Sequence, residues 1–198
     1  MPVLIDDLMV RVKGETREQH QQLESILPIA RENFTLAEYQ FVLEKFFGIY
    51  TPFEASISEF AALPETLQWE RRKKTPTLEN DLADLGMAQE SIMALPMARV
   101  ASMSNLPEIL GTMYVLEGAT LGGQFISRAV GRRFGFDQRK GCRFFSSYGS
   151  EVGSMWRCFG EVVRQQMNNS DDADRFVAYA TLTFSAFAQW LKGDLLHA

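Results

Sequence analysis

Histidine is nearly absent from this chain. Only His20 and His197 occur in 198 residues, too few for a multi-histidine zinc or di-iron centre. His197 stands one residue from the C-terminus, where chains are commonly loosely held. Cysteine is equally scarce. Cys142 and Cys158 form no CxxC pair, and free thiols in a reducing compartment are expected. Nucleophile-elbow, phosphate-loop and dinucleotide glycine motifs are missing. No stretch alternates like a strand between hairpin turns. No apolar run is long enough to span a membrane, and Asp6 and Asp7 occupy the place where a signal peptide would have its apolar core. A cytoplasmic protein with no membrane contact is expected. Positive charge is in deficit, at a formal −5, which argues against nucleic acid as a partner. With no repeat or low-complexity linker, residues 1–198 are expected to form a single domain.

What is present is a helical, aromatic-rich pattern, with 15 Phe and 46% hydrophobic residues. The first stripe joins Ile5, Leu8, Met9, Val12, Thr16, His20, Leu23 and Leu27 in helical register, and Pro28 ends it. Thr35 followed by Glu38 predicts a capping box. The stripe Tyr39, Val42, Phe46, Tyr50, Phe53, Ile57 and Phe60 follows, with a kink expected at Pro52. WERRKK is a basic run, and TPT reads as a turn. Leu78, Leu82 and Leu85 suggest a short helix stopped by Gly86, and residues 91–107 read as short helix and loop. Asn105 and Glu108 start another helix, running to about Phe134 through Gly111, Gly118, Gly122, Gly123 and Gly131. A glycine-bearing loop, a helix with Trp156, Phe159 and Val163, and a last helix from near Ser170 complete the chain. The fold class expected is all-α, a compact multi-helix bundle.

Two features could carry chemistry. His20 is followed at i+4 by Glu24, so a carboxylate on the same helix face can approach Nδ1 while Nε2 stays available to a metal. A partly buried histidine satisfied by its neighbour is the other reading of this pair. Each helix-interior glycine costs roughly 1 kcal/mol relative to alanine, so the cluster from Gly111 to Gly131 needs a reason. Close helix packing is one. A helix that bends and presents bare backbone to a flat ligand is the other.

T-R-E-Q-H-Q-Q-L-E, residues 16–24, resembles the proximal helix of haem oxygenases, and Y-V-L-E-G-A-T-L-G-G-Q, residues 114–124, resembles their distal helix. The likeness continues through F-F-S-S-Y-G and the Trp156 segment to the last helix, and is nearest to bacterial biliverdin-producing enzymes, some of which accompany bacteriophytochromes. It implies a bundle with haem between a proximal and a kinked distal helix. His20 would be the iron ligand, supported by Glu24. Gly118 and Gly122, with Gly123 beside them, would approach the haem face, the first two as catalytic positions. Lys13, and by position Arg17 and Arg157, would lie near the propionates. The reaction implied is oxidative cleavage of haem to biliverdin, carbon monoxide and ferrous iron, with haem as substrate and cofactor. It would use molecular oxygen and electrons from a ferredoxin- or flavin-type reductase, and a bacteriophytochrome could accept the biliverdin. One departure stands out. Several members carry an aspartate after the first distal glycine, and here that residue is Ala119. A non-catalytic haem carrier or sensor on the same fold is the alternative. A thiaminase-like hydrolase would need a pocket cysteine that neither Cys142 nor Cys158 evidently supplies.

Overall fold

The first helical segment divides at Thr16 into α1 (Ile5–Glu15) and α2 (Arg17–Ile26). The computed structural model describes residues 5–195, with side chains for 8–193, so His197 and the Ile5 side chain lie outside the described residues. Thr16 leaves the helical basin, at φ −99° and ψ 5°. Its hydroxyl donates to the Val12 carbonyl at 2.7 Å, the back-bond by which Thr bends helices. One helix is therefore read as two.

A short 3-10 turn at Pro28–Ala30 leads to α3 (Leu36–Ser58). The expected capping box is present. The Glu38 amide donates to Thr35 Oγ1 and the Thr35 amide to the Glu38 carboxylate. Tyr39, Val42, Phe46, Tyr50, Phe53 and Ile57 are all buried. The helix runs through Pro52, whose missing N–H would have served the carbonyl of Gly48. That carbonyl instead accepts from the Ala98 amide at 2.8 Å, pinning the 94–105 connection onto α3.

The short helices α4 (Trp69–Arg72), α5 (Thr75–Asp84) and α6 (Gln89–Met93) follow. TPT is the first turn of α5 rather than a free turn, because Pro76 falls at a helix start where its lost N–H has no partner to miss. The distal segment is α7 (Leu106–Phe134), capped by the Asn105 side chain and ended by Gly135 at φ +72°. The loop beyond it is clamped by buried Asp81, which accepts from the amides of Arg143 and Phe144, each at 2.8 Å. Helices α8 (Val152–Gln166) and α9 (Ser170–Leu195) complete the bundle.

Helix α9 is the platform, and α1, α2, α3 and α7 all lie against it. Gly111 makes the α7 crossing possible, since a Cβ there would collide with the Phe176 backbone. An aromatic core of Phe46, Tyr50, Phe144, Phe145 and Phe187, in ring contact, fills the space between α3, the loop and α9. The described residues contain no strand, only isolated bridges at Asp137. None of their helices is long and apolar enough to cross a membrane.

Candidate functional site

Segments α2 and α7 both pack against α9 rather than closely against each other. Two ties join the two segments. The half-buried Tyr114 hydroxyl of α7 meets Thr16, and Arg133 of α7 donates to the Glu32 carbonyl beyond α2 at 2.9 Å. His20 and Gly118 are each four residues past the Thr16–Tyr114 tie, about 6 Å along their helices.

On the α2 side, His20 is more than half exposed and its Nδ1 lies 3.6 Å from Glu24 Oε2. That is an ion-pair distance, longer than a hydrogen bond. The ring stands edge-on to Phe184 of α9, centroids 5.6 Å apart at 82°, so packing and a carboxylate together restrict its orientation. Nε2 has no partner among the described residues. Lys13 and Arg17 are exposed on the same stripe as His20 and Glu24, at helical steps of four, three and four. Neither makes an ion pair within the described residues. Arg11, off this stripe, is engaged with Glu15 and Asp174 at 2.7 Å each.

On the α7 side, the glycines divide. A Cβ at Gly122 would meet nothing within 4 Å, and one at Gly118 would reach only Trp156 Cη2 at 4.0 Å. Both therefore present bare backbone to open space. Gly123 is buried, and a Cβ there would lie 2.7 Å from the Phe145 carbonyl oxygen. Its missing side chain admits the 144–145 turn against α7. Near the open glycines, Leu121 is 39% and Phe125 74% exposed. Ala119 is exposed too, and its methyl can neither accept nor relay a hydrogen bond.

A cleft of about 500 Å³ between α7 and the segment after α2 is lined by Ile29, Phe125, Ile126, Ala129, Arg132 and Arg133 among others. A smaller one of about 190 Å³, with Thr112 and Thr183 in its wall, involves neither stripe. Glu117 turns inward, as its helical angle from Gly118 requires. It is 3% exposed and paired with Arg72 at 2.5 Å. Arg157 is exposed on α8 next to Trp156. No group of three or more possible metal ligands occurs among the described residues. The site fits the haem that the resemblance implies. Among the described residues it offers an imidazole nitrogen without a partner, exposed Leu121 and Phe125, two glycines whose Cβ positions are empty, and cations without an ion pair.

A heme oxygenase family profile matches residues 6–193. The chain belongs to the heme oxygenase family. Within the family, it is 26% identical over 159 residues to a heme oxygenase of Xanthomonas campestris pv. campestris (strain 8004), an alignment covering 79% of this chain and 90% of that one. Its fold is similar to that of the heme oxygenase of Neisseria meningitidis, solved in NO- and CO-bound forms, with a TM-score of 0.77 at 17% identity over 94% of this chain and 90% of the other. Membership carries the activity, the oxidoreductase reaction that cleaves haem to biliverdin, carbon monoxide and ferrous iron.

The side chains beside the two stripes carry no signal of their own in the sequence. Phe184 and Trp156 fall on apolar helical stripes that look like ordinary core. Exposed Phe125 lies only three residues past Gly122, and that spacing was the available signal.

Proposed function

We propose that haem lies in the face between α2 and α7, with His20 Nε2 as its protein ligand and Gly118 and Gly122 as its opposite wall. The observation that carries this is a pair of features on two helices of the same platform: an imidazole nitrogen with no partner among the described residues, and glycines whose Cβ positions are empty. Glu24 restrains the His20 tautomer from the Nδ1 side. Lys13 and Arg17 are unpaired cations on the His20 stripe, placed to receive carboxylates at a ring edge. Arg157, beside Trp156, is a further candidate for that role. Bound haem supplies the oxygen and redox chemistry, and the chain supplies orientation and shelter from water. Gly118 and Gly122 keep the wall close to the ring, and Leu121, Phe125 and Trp156 limit water at its rim. With Ala119 unable to relay a proton, ordered water held by backbone groups near Gly118 and Gly122 is the route this reading assigns.

The same reading takes residues 1–198 as one cytoplasmic domain, with free thiols at Cys142 and Cys158. It uses molecular oxygen and electrons from an external ferredoxin- or flavin-type reductase, and a bacteriophytochrome is a fitting acceptor for the biliverdin. Adding hemin and a reductant under air, and following the Soret and biliverdin bands, tests it. One haem per chain converted to biliverdin is expected. Stable binding without conversion would favour the carrier or sensor reading, and absence of binding would refute the site.

A further inference from the structure

The basic run at residues 69–74 is only partly a solvated face: Glu70 and Arg71 are exposed, whereas Arg72 and Lys74 are buried. The Arg72 side chain is fully buried, and so, nearly, are those of Lys74 and Glu117. Burying an ion pair costs desolvation that apolar residues of similar volume would avoid. Such a pair is therefore weak evidence for stability and calls for another reason.

The geometry points to Arg72 as a positioning residue for the Gly118–Trp156 wall. Its guanidinium reaches three separate parts of the chain. Nε donates to the Leu67 carbonyl at 2.5 Å, Nη1 to Glu117 Oε2 at 2.5 Å, and Nη2 to the Met155 carbonyl at 3.2 Å. Glu117 immediately precedes Gly118, and Met155 immediately precedes Trp156. One planar fork thus holds the residue before each member of the contact in which Trp156 Cη2 lies 4.0 Å from the Cβ position of Gly118. A rigid fork sets direction as well as distance. The other carboxylate oxygen of Glu117 accepts from the Tyr148 hydroxyl at 2.9 Å. Tyr148 sits at φ +64° just ahead of α8, so the same carboxylate also holds the entry to the helix that carries Trp156. The Lys74 ammonium, 4.0 Å from Glu117 and 3.8 Å from the Tyr148 ring centroid, closes the cluster. Arg72 touches no part of the open face. It acts through Glu117 and Met155 on the spacing between α7 and α8, hence on which edge of a bound ring meets the wall. This rests on the α2–α7 face being the haem site.

The test uses full-length protein labelled with 5-fluorotryptophan, in which the Trp156 resonance is assigned by its loss in Trp156→Phe. The variants are Arg72→Met with Glu117→Leu, which replaces the pair by apolar groups, and Arg72→Lys, which keeps the charge but cannot span three acceptors. The double variant is expected to fold cooperatively. In the apoprotein of both, the Trp156 resonance is expected to shift or split while those of Trp69 and Trp190 stay in place. After hemin addition and turnover, the proportions of biliverdin isomers are expected to change. A wild-type Trp156 resonance together with wild-type isomer proportions in either folded variant would overturn the proposal. Should the double variant not fold, Arg72→Lys alone decides by the same readouts. Haem binding by the parent protein is read separately, from quenching of its tryptophan fluorescence by hemin. A failed haem site therefore appears there, whereas a failed positioning role appears in the apoprotein spectrum.

Discussion

Gly122 and Gly123 are neighbours in one helix, yet the same substitution should move them in opposite directions. At Gly122 a methyl group meets nothing within 4 Å, so Gly122→Ala gains only the helix-propensity difference, about 1 kcal/mol. In a chain of this size that raises the apoprotein melting temperature by roughly 2–4 °C. At Gly123 the same gain is opposed by a Cβ placed 2.7 Å from the Phe145 carbonyl oxygen. A backbone oxygen cannot swing aside as a flexible side chain can, and overpacking of this kind costs about 1–3 kcal/mol. Gly123→Ala should therefore lie below Gly122→Ala in stability by about 1–3 kcal/mol, the propensity gain being common to both. Urea unfolding of the two apoproteins measures the gap. The order should reverse for function. Gly122→Leu should fold but take up hemin more weakly or turn it over more slowly, because its side chain occupies the ligand face. If Gly123→Ala proves as stable as Gly122→Ala, the division of the glycines into ligand and packing positions is wrong. If Gly122→Leu handles haem normally, the wall has been placed on the wrong helix face.

Two further outcomes follow from buried charges away from that face. Burial lowers the Lys74 ammonium from 10.5 to about 8, against the opposing pull of Glu117 and Glu54. Between those values the unfolded chain holds a proton that the folded chain has released, so stability should rise with pH from about 8 to 10.5. Lys74→Met should lose that rise, and thermal melts of both proteins across the window would show no difference if Lys74 were in water. Asp81, fully buried, accepts from the Arg143 and Phe144 amides. Asp81→Asn sets an NH₂ against one of these donors and should cost about 1–3 kcal/mol in urea unfolding, whereas an unchanged midpoint would mean that the 142–145 loop holds itself.

What could be read from the residues alone was local. Thr35 with Glu38, Asn105 with Glu108, and Gly135 as a helix stop each depend on contacts within a few positions. So does the approach of Glu24 to His20, which needs only a helical turn. What escaped depends on partners far along the chain. Nothing near Gly123 announces Phe145, and nothing near Gly118 announces Trp156, so neighbouring glycines with different roles look alike. Arg72 and Lys74 sit in a run that resembles a surface patch, because their partners Glu117, Tyr148 and Met155 come 43 or more positions later. The break at Thr16 comes from its hydroxyl bending the helix, on a stripe whose periodicity continues unbroken past it.

His20 is the residue on which the haem site depends most directly. Resonance Raman spectra of the ferrous haem complex should show an iron–histidine stretch that is lost in His20→Ala. Only one other histidine, His197, exists in the chain, so the outcome has a single rival. A stretch that persists unchanged in His20→Ala would contradict the assignment and move the iron to the C-terminal histidine.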